Sequence, residues 1–418
     1  MEENLAKGVH KSIPCCFTKK RRLHMSDIKI YAESPDQTAV NQIYELAKQE
    51  AFKDSKIRIM PDVHAGKGCV IGFTADLGDK IIPDIVGVDI NCGMLTVELG
   101  NIDIDLKSLD EIINKHIPAG NKIRETAAYD FTELTKLLCY DQLRNKEKLP
   151  LAIGSLGGGN HFIEVDKDDA GNKYLIIHTG SRNLGKQIAE IYQKEAINYH
   201  KKNKMGEQVT KAIEKLKAES RFTEINDAIN EIKQNFKTIP DKFAYLEGDD
   251  AANYLHDMKI CQKFAKTNRE VIADIILDKA FNIRLNDTPH FHTVHNYIDL
   301  TDNMTRKGAI SAKKGEHVLI PINMADGCII GVGKGNPDWN YSAPHGAGRI
   351  LSRSKAKETI TLDDFKEVMN GVYSTSVCKE TLDESPFAYK KADDILKWIK
   401  DTVDVVNIIK PIYNFKAH

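Results

Sequence analysis

The 418-residue chain has almost no net charge, 59 Lys+Arg standing against 60 Asp+Glu. That balance excludes a histone-like or tail-driven binder and leaves any nucleic-acid contact to a local basic surface. Long hydrophobic runs are also missing. None approaches the ~18 residues that cross a bilayer, and no secretory segment stands at the start, so a cytoplasmic protein without a membrane partner is expected. Eight cysteines at 15, 16, 69, 92, 139, 261, 328 and 378 form no CxxC pair and no dense framework, which argues against structural disulfides and zinc ribbons. No internal repeat is visible. What remains is a globular composition, 41% apolar and 28% charged, with 14 His. Several of these lie in Gly-rich polar loops, where chemistry tends to be placed.

Along the chain, residues 1–24 lack a period and end in a basic run, which reads as a disordered or artefactual extension. Residues 36–52 suggest a helix and Ile57–Met60 a strand. The apolar stretches Ile81–Ile90 and Met94–Leu99, between Gly-rich turns, suggest buried strands. Residues 103–150 read mainly as helices, Tyr174–His178 as a strand and 250–280 as another helix. The Lys- and Glu-rich span of about 184–240 suggests a projecting helical insertion, its charges either a solvated face or a track for phosphates. Glu316–Met324 and Cys328–Val332 read as strands, and Ala392–Ile409 as an amphipathic helix ended by Pro411. The Gly-rich motifs span some 290 positions. One large mixed α/β core over 25–418 is therefore expected rather than separate domains.

Five constellations carry chemistry. MPDVHAGKGCVIGFT (60–74) is followed by VGVDINCGM (86–94), where Asp89 and Cys92 are three residues apart at a strand end. A carboxylate and a thiolate so placed reach one centre, and a thiolate can bridge two ions, although an isolated Cys is more often a small buried hydrophobe. GSLGGGNHFIEV (154–165) lets backbone approach an anion while Asn160, His161 and Glu164 offer polar groups. In IIHTGSRNLGKQIAEIY (176–192) a strand ends at His178, and the helix start beside Arg182 is either a phosphate seat or a capped helix with a surface Arg. HFHTVHNY (290–297) would put His290 and His292 on one face of an extended segment and His295 on the other, so the three do not share one ion. NYSAPHGAGRILSRSKAK (340–357) sets His345 in a Gly-rich loop with Arg349 and Arg353 downstream. An imidazole there suits a nucleophile towards a phosphoryl group.

Together DVHAGKG, VGVDINCGM, GGGNHF, HTGSRNLG and SAPHGAGR, with RKGAISAKKG (306–315), resemble the RtcB family of RNA ligases, in the family's order and from about Ile57 to Lys416. The resemblance implies an RtcB-like α/β fold. It further implies a ligase that joins RNA 3'-phosphate or 2',3'-cyclic phosphate ends to 5'-hydroxyl ends in tRNA splicing or RNA repair. By motif, Asp89, Cys92, His161, His178 and His295 match a site for two manganese ions, with Cys92 bridging. His345 matches the histidine that GTP guanylylates. Asn160 matches a residue near the nucleotide phosphates, and Glu164, Tyr389 and Lys416 match guanine-side positions. Arg182 and Arg349 would hold phosphate, of the nucleotide or of the RNA end, while Asp62 and His64 would orient a ligand or meet the RNA end. RNA and GTP are the implied partners, with an archease-like activator and a monomeric state.

Three departures bear on the site. Asn91 stands where the family commonly has Gly, which would tighten the backbone beside Cys92, PINM, with Ile322 and Asn323, replaces a PGSM-like turn and would alter a nucleotide-contacting loop, and the chain ends KAH where the family has KG. The rival to a ligase is a metal-dependent phosphoesterase that acts on RNA ends without joining them, and a second rival is an RNA-binding protein with no catalysis.

Overall fold

The computed structural model describes residues 27–236 and 239–417. The extension expected over 1–24 lies outside the described residues. Three sheets form the framework. The largest runs in the order β11 (His317–Asn323), β12 (Gly327–Gly333), β14 (Val403–Phe415), β5 (Phe162–Lys167), β6 (Lys173–Thr179), β4 (Gly93–Gly100), β7 (His290–Val294), with every pairing antiparallel. The second is ordered β1 (Asp27–Ile30), β2 (Lys56–His64), β3 (Ile71–Asp76), β9 (Met304–Lys307), β8 (Tyr297–Asp299), and only its β1–β2 pair is parallel. The third is the short pair β10 (Ala309–Ser311) and β13 (Ser342–Pro344). With ten α-helices among the described residues, this is a mixed α/β fold.

Strand alternation decides what each face of the large sheet carries. Leu95, Val97, Ile163, Val165, Leu175 and Ile177 point one way and pack on α3 (Leu106–His116) and α7 (Gly248–Ile276). Their neighbours Phe162, Glu164, Ile176 and His178 therefore point the other way, towards β11 and β12. That second face carries the polar residues the motifs singled out.

The remaining helices complete separate apolar layers. α1 (Gln37–Ala47), capped by Asp36, covers the second sheet, and α2 (Pro83–Val86) packs against α4 (Arg182–Asn198). α4 lies in the core through Leu184, Ile188, Tyr192 and Ala196. α5 (Lys204–Ala218) and α6 (Ile225–Asn235) contribute one buried side chain, Leu216, among the described residues, so the exposed part of the 184–240 span begins after α4. α8 (Arg353–Thr359) and α9 (Leu362–Val368) pack near Met324 and Ala388, and α10 (Ala392–Ile399) closes the layer around Ile320 and Ala343. No helix among the described residues is long and apolar enough to cross a membrane.

Three expectations are corrected. The helix read over Ala392–Ile409 stops at Ile399, and Val403–Phe415 is β14. Its β-branched run suits the pleated surface between β12 and β5, and Pro411 is tolerated where the register shifts. Ile81–Ile90 is not a strand: Pro83 opens the single turn of α2, and Gly87 at φ 96 turns the chain. Residues 103–150 hold one α-helix, α3, followed by short 3-10 turns over Thr132–Ala152.

Candidate metal and phosphoryl-transfer site

Four neighbouring strands of the large sheet bring the five donors to one edge. Asp89 and Cys92 precede β4, His161 precedes β5, His178 is the penultimate residue of β6, and His295 follows β7. Antiparallel register aligns these ends: Gly93 is opposite both Thr179 and Val294, and Phe162 is opposite His178. The His295 N–H donates to Cys92 O at 2.8 Å and extends the ladder to the site.

The geometry centres on Cys92. Its Sγ lies 3.3 Å from His161 Nε2 and 3.3 Å from His178 Nε2. The ligand atoms of Cys92, His178 and His295 lie within 4.8 Å of one another, as do those of Asp89, Cys92 and His161, so the thiol belongs to both groups. Asp89 Oδ2 is 3.0 Å from His161 Nε2, and Oδ1 accepts from Ser181 N at 2.9 Å, which fills the start of α4 with a carboxylate. A β-carbon at Gly180 would overlap that carboxylate, and one at Gly157 would overlap the His161 ring. These contacts explain glycine in two of the motifs. Asn91 adopts φ 58 and donates its side chain to Gln262 O, so it takes the left-handed turn a glycine would take.

The donor set fits divalent transition ions. Burial holds His178 and His295 well below the usual imidazole range, so both offer lone pairs at neutral pH, and His295 Nδ1 is buried without a hydrogen-bond partner. Burial raises Asp89, but the His161 hydrogen bond and charge outweigh it and hold the carboxyl down at about 2. Burial, with Asp89 adding to it, pushes the Cys92 thiol well above its ordinary value. A cation between these groups would reverse that last effect. The imidazole, thiolate and carboxylate mixture suits first-row ions.

His345 sits beside this cluster, its ring centroid 4.8 Å from that of His295. It follows β13, and its Nδ1 is 2.6 Å from Asp62 Oδ2 on β2. Three sheets thus meet at the site. The adjoining cavity has a volume of about 720 Å³ and is lined by Asp89, Cys92, His178 and His295 on the donor side and by His64, His345 and Asn160. Glu164, Arg349, Tyr389 and Lys416 line it as well, so most of the residues singled out by motif share one space. Ile322 and Asn323 are on its wall, where Asn323 accepts from Ala325 N and Asp326 N and closes its own turn.

Two candidates lie elsewhere. Asp62 is fully buried behind His345 and does not line the cavity. Arg182 turns away: its Nε donates to Ser155 Oγ and its Nη2 to Gly120 O, although φ 54 places it at the left-handed start of α4. In the triple-His segment, His292 reaches Glu270 and only His295 joins the donors.

Sequence reasoning missed Glu384 and Arg269. Glu384 accepts from Tyr389 OH at 2.8 Å and pairs with Arg349, Arg353 and Lys416. Burial raises its pKa, but these cations outweigh that and hold it at about 2. Fully buried Arg269 donates to Asn91 O and Thr179 O, fastening the turns that carry Cys92 and His178. Neither residue belongs to a Gly-rich motif. Both stand among other polar and charged residues, Asp383 and Ser385 beside the one and Asn268 and Glu270 beside the other, so no local signal marks them.

Five convergent candidate donors, four of them lining the cavity, beside a histidine held by a buried carboxylate are consistent with a metal-dependent enzyme of mixed α/β fold. The family profile described as tRNA-splicing ligase RtcB matches residues 42–143 and 138–417. The chain belongs to the RtcB family. It is 28% identical to "RNA-splicing ligase RtcB" of Escherichia coli (strain K12), over 91% of this chain and 94% of that protein. It is 26% identical to "tRNA-splicing ligase RtcB" of Aeropyrum pernix, over 81% and 82%, and 24% identical to its namesake of Thermococcus kodakarensis, over 84% and 85%.

Proposed function

We propose that this chain is an RNA ligase that seals RNA 3'-phosphate or 2',3'-cyclic phosphate ends to 5'-hydroxyl ends, with GTP as co-substrate and two manganese ions at the five-donor site. The observation that carries this reading is the 2.6 Å contact of buried Asp62 with His345, which lines the cavity next to the donors. Asp62 accepts the Nδ1 proton, which leaves the Nε2 lone pair as the nucleophile.

His345 Nε2 attacks the α-phosphorus of GTP, forming a P–N bond while the bond to the bridging oxygen breaks and pyrophosphate leaves. The RNA 3'-phosphate then takes the GMP from the imidazole, giving a pyrophosphate-linked RNA-ppG end. A 5'-hydroxyl attacks the 3'-phosphorus, GMP leaves, and the phosphodiester is made; a cyclic end is first opened by water. The energetic reason for the detour is that a phosphate monoester oxygen leaves poorly until a nucleotide caps it. Asp89, Cys92, His161, His178 and His295 hold the ions, which supply Lewis-acid neutralisation of phosphoryl oxygens. Asn160 serves the nucleotide phosphates, Glu164, Tyr389 and Lys416 the base, and Arg349 adds positive charge from its seat among Glu384, Tyr389 and Asp383. His64 is left for the RNA end. Asp62 orients His345 instead of meeting RNA. An archease-like activator, a monomeric working form and a cytoplasmic setting belong to the same reading.

Labelled GTP with Mn²⁺ tests it. Wild type should form an acid-labile, base-stable protein adduct and then join a 3'-phosphate RNA to a 5'-hydroxyl RNA, and His345→Ala should do neither. An adduct that persists in His345→Ala removes the nucleophile assignment; phosphate release without GTP and without joining supports a phosphoesterase instead.

A further inference from the structure

The same strand that carries Glu164 carries a second acid that the reaction above does not use. Asp166 is two residues further along β5 and so faces the same way, and Cys328 of β12 meets both. The ligand atoms of the three lie within 4.8 Å of one another, and Asp166 and Cys328 are fully buried. Neither carboxyl oxygen of Asp166 accepts a hydrogen bond from an N–H or O–H donor in the structure. Its polar neighbours are the Glu164 carboxyl on its own strand and the Cys328 thiol on β12. Two carboxyl groups brought this close hydrogen-bond only when a proton stands between them.

The surroundings decide which group owns that proton. Glu164 accepts from the Asn414 side chain of β14 and faces the Lys416 ammonium just beyond it, both of which favour the ionised form. Asp166 has neither. We propose that Asp166 is a positioning residue for base selection: it keeps the shared proton and donates a hydrogen bond through it to Glu164, so that Glu164 meets the nucleotide base as an ionised acceptor. Burial raises both acids; the Glu164 charge adds to the push on Asp166, whereas Asn414 and Lys416 act against it at Glu164.

This inference rests on the reading of the cavity as a GTP site. An ionised Glu164 complements the ring N–H and the exocyclic amino group of guanine and opposes the ring lone pair that adenine presents. A protonated Glu164 would accept adenine. Asp166 therefore acts on discrimination through Glu164, without touching the base.

The experiment measures kcat and KM for adduct formation with GTP and with ATP in wild type, Asp166→Asn and Asp166→Leu, with thermal unfolding as the check on folding. Asp166→Leu removes the donor and should raise the KM for GTP about tenfold or more, the scale of a hydrogen bond to a charged group. Its kcat should change little, and its preference for GTP over ATP should narrow. Asp166→Asn keeps an N–H donor and should restore both KM and preference. Infrared spectroscopy of the nucleotide-free protein should show a buried protonated-carboxyl stretch that Asp166→Asn lacks. An Asp166→Leu variant with unaltered KM and preference overturns the proposal, as does absence of that band or binding of a third divalent ion that Asp166→Asn loses. If wild type forms no adduct with any nucleotide, the GTP reading fails on its own, and the infrared band still decides where the proton resides.

Discussion

Asp62 shows how much rests on a single side chain behind the reacting group. With one oxygen on His345 Nδ1 and no exposure to solvent, it fixes the ring plane and favours the Nδ1–H tautomer of the histidine proposed as nucleophile. Asp62→Asn presents an amide that can donate to Nδ1 and reverse the tautomer, so adduct formation should slow by about 10²–10⁴-fold. Ion stoichiometry, read by metal analysis of the same variant, should not change. Cys92 makes a different demand. Its thiol is held protonated by burial and by Asp89, so manganese binding near neutral pH should release a proton, and apparent affinity should rise with pH. Calorimetry in buffers of different ionisation enthalpy measures the release. Cys92→Ala should abolish it together with metal-dependent guanylylation.

Element ends, more than element interiors, make this site. β4, β5, β6 and β7 bring their ligands to one edge because each antiparallel partner starts where its neighbour stops. The turn from β6 into α4 then carries Ser181 to the Asp89 carboxylate, and only Gly180 leaves room for it. Gly180→Ala should fold, since the clash is local, but weaken manganese binding by about 10–100-fold, the usual scale for disturbing a group that orients a ligand. Equilibrium titration of the metal checks this, and affinity equal to wild type rejects the steric account.

Across the whole molecule, the cavity wall is fastened by charges from segments distant in sequence. Buried Glu384 joins buried Lys416, part-buried Arg349 and the exposed Arg353. Its pKa is depressed from 4.5 to about 2, so its contribution is fully present above about pH 4.5 and disappears as pH falls towards about 2. Glu384→Gln leaves those cations without their counter-charge and should destabilise the protein by about 3–5 kcal/mol at neutral pH. Denaturant titrations should show the deficit shrinking below pH 4.5, and a deficit constant down to pH 2 contradicts the assignment. Because the five donors come from four strands of one sheet, bound Mn²⁺ should raise the unfolding midpoint of wild type, and Cys92→Ala should lose that increment.

The chemistry of the site was legible in the sequence because its signals are local. Gly-rich loops mark where backbone must approach another group, and His, Cys and Asp within them announce ligands; Gly157 and Gly180 owe their places to contacts with His161 and Asp89. Hydrophobic pattern was a weaker guide at Val403–Phe415, where apolar residues interrupted by Asp404, Asn407 and Lys410 continue the amphipathic pattern of α10 until β12 and β5 are there to pair with them. Arg182 failed as a cavity residue for the same reason, since the direction of a side chain at a helix start depends on which loops pack over it. By itself, then, the order of residues determined the family and most of the side chains that gather at the cavity. Only the tertiary structure decided that Asp62 stands behind His345, that Glu384 gathers three cations, and that Cys328 lies against Glu164 and Asp166, because each of these is a contact between distant chain segments that no short-range pattern encodes.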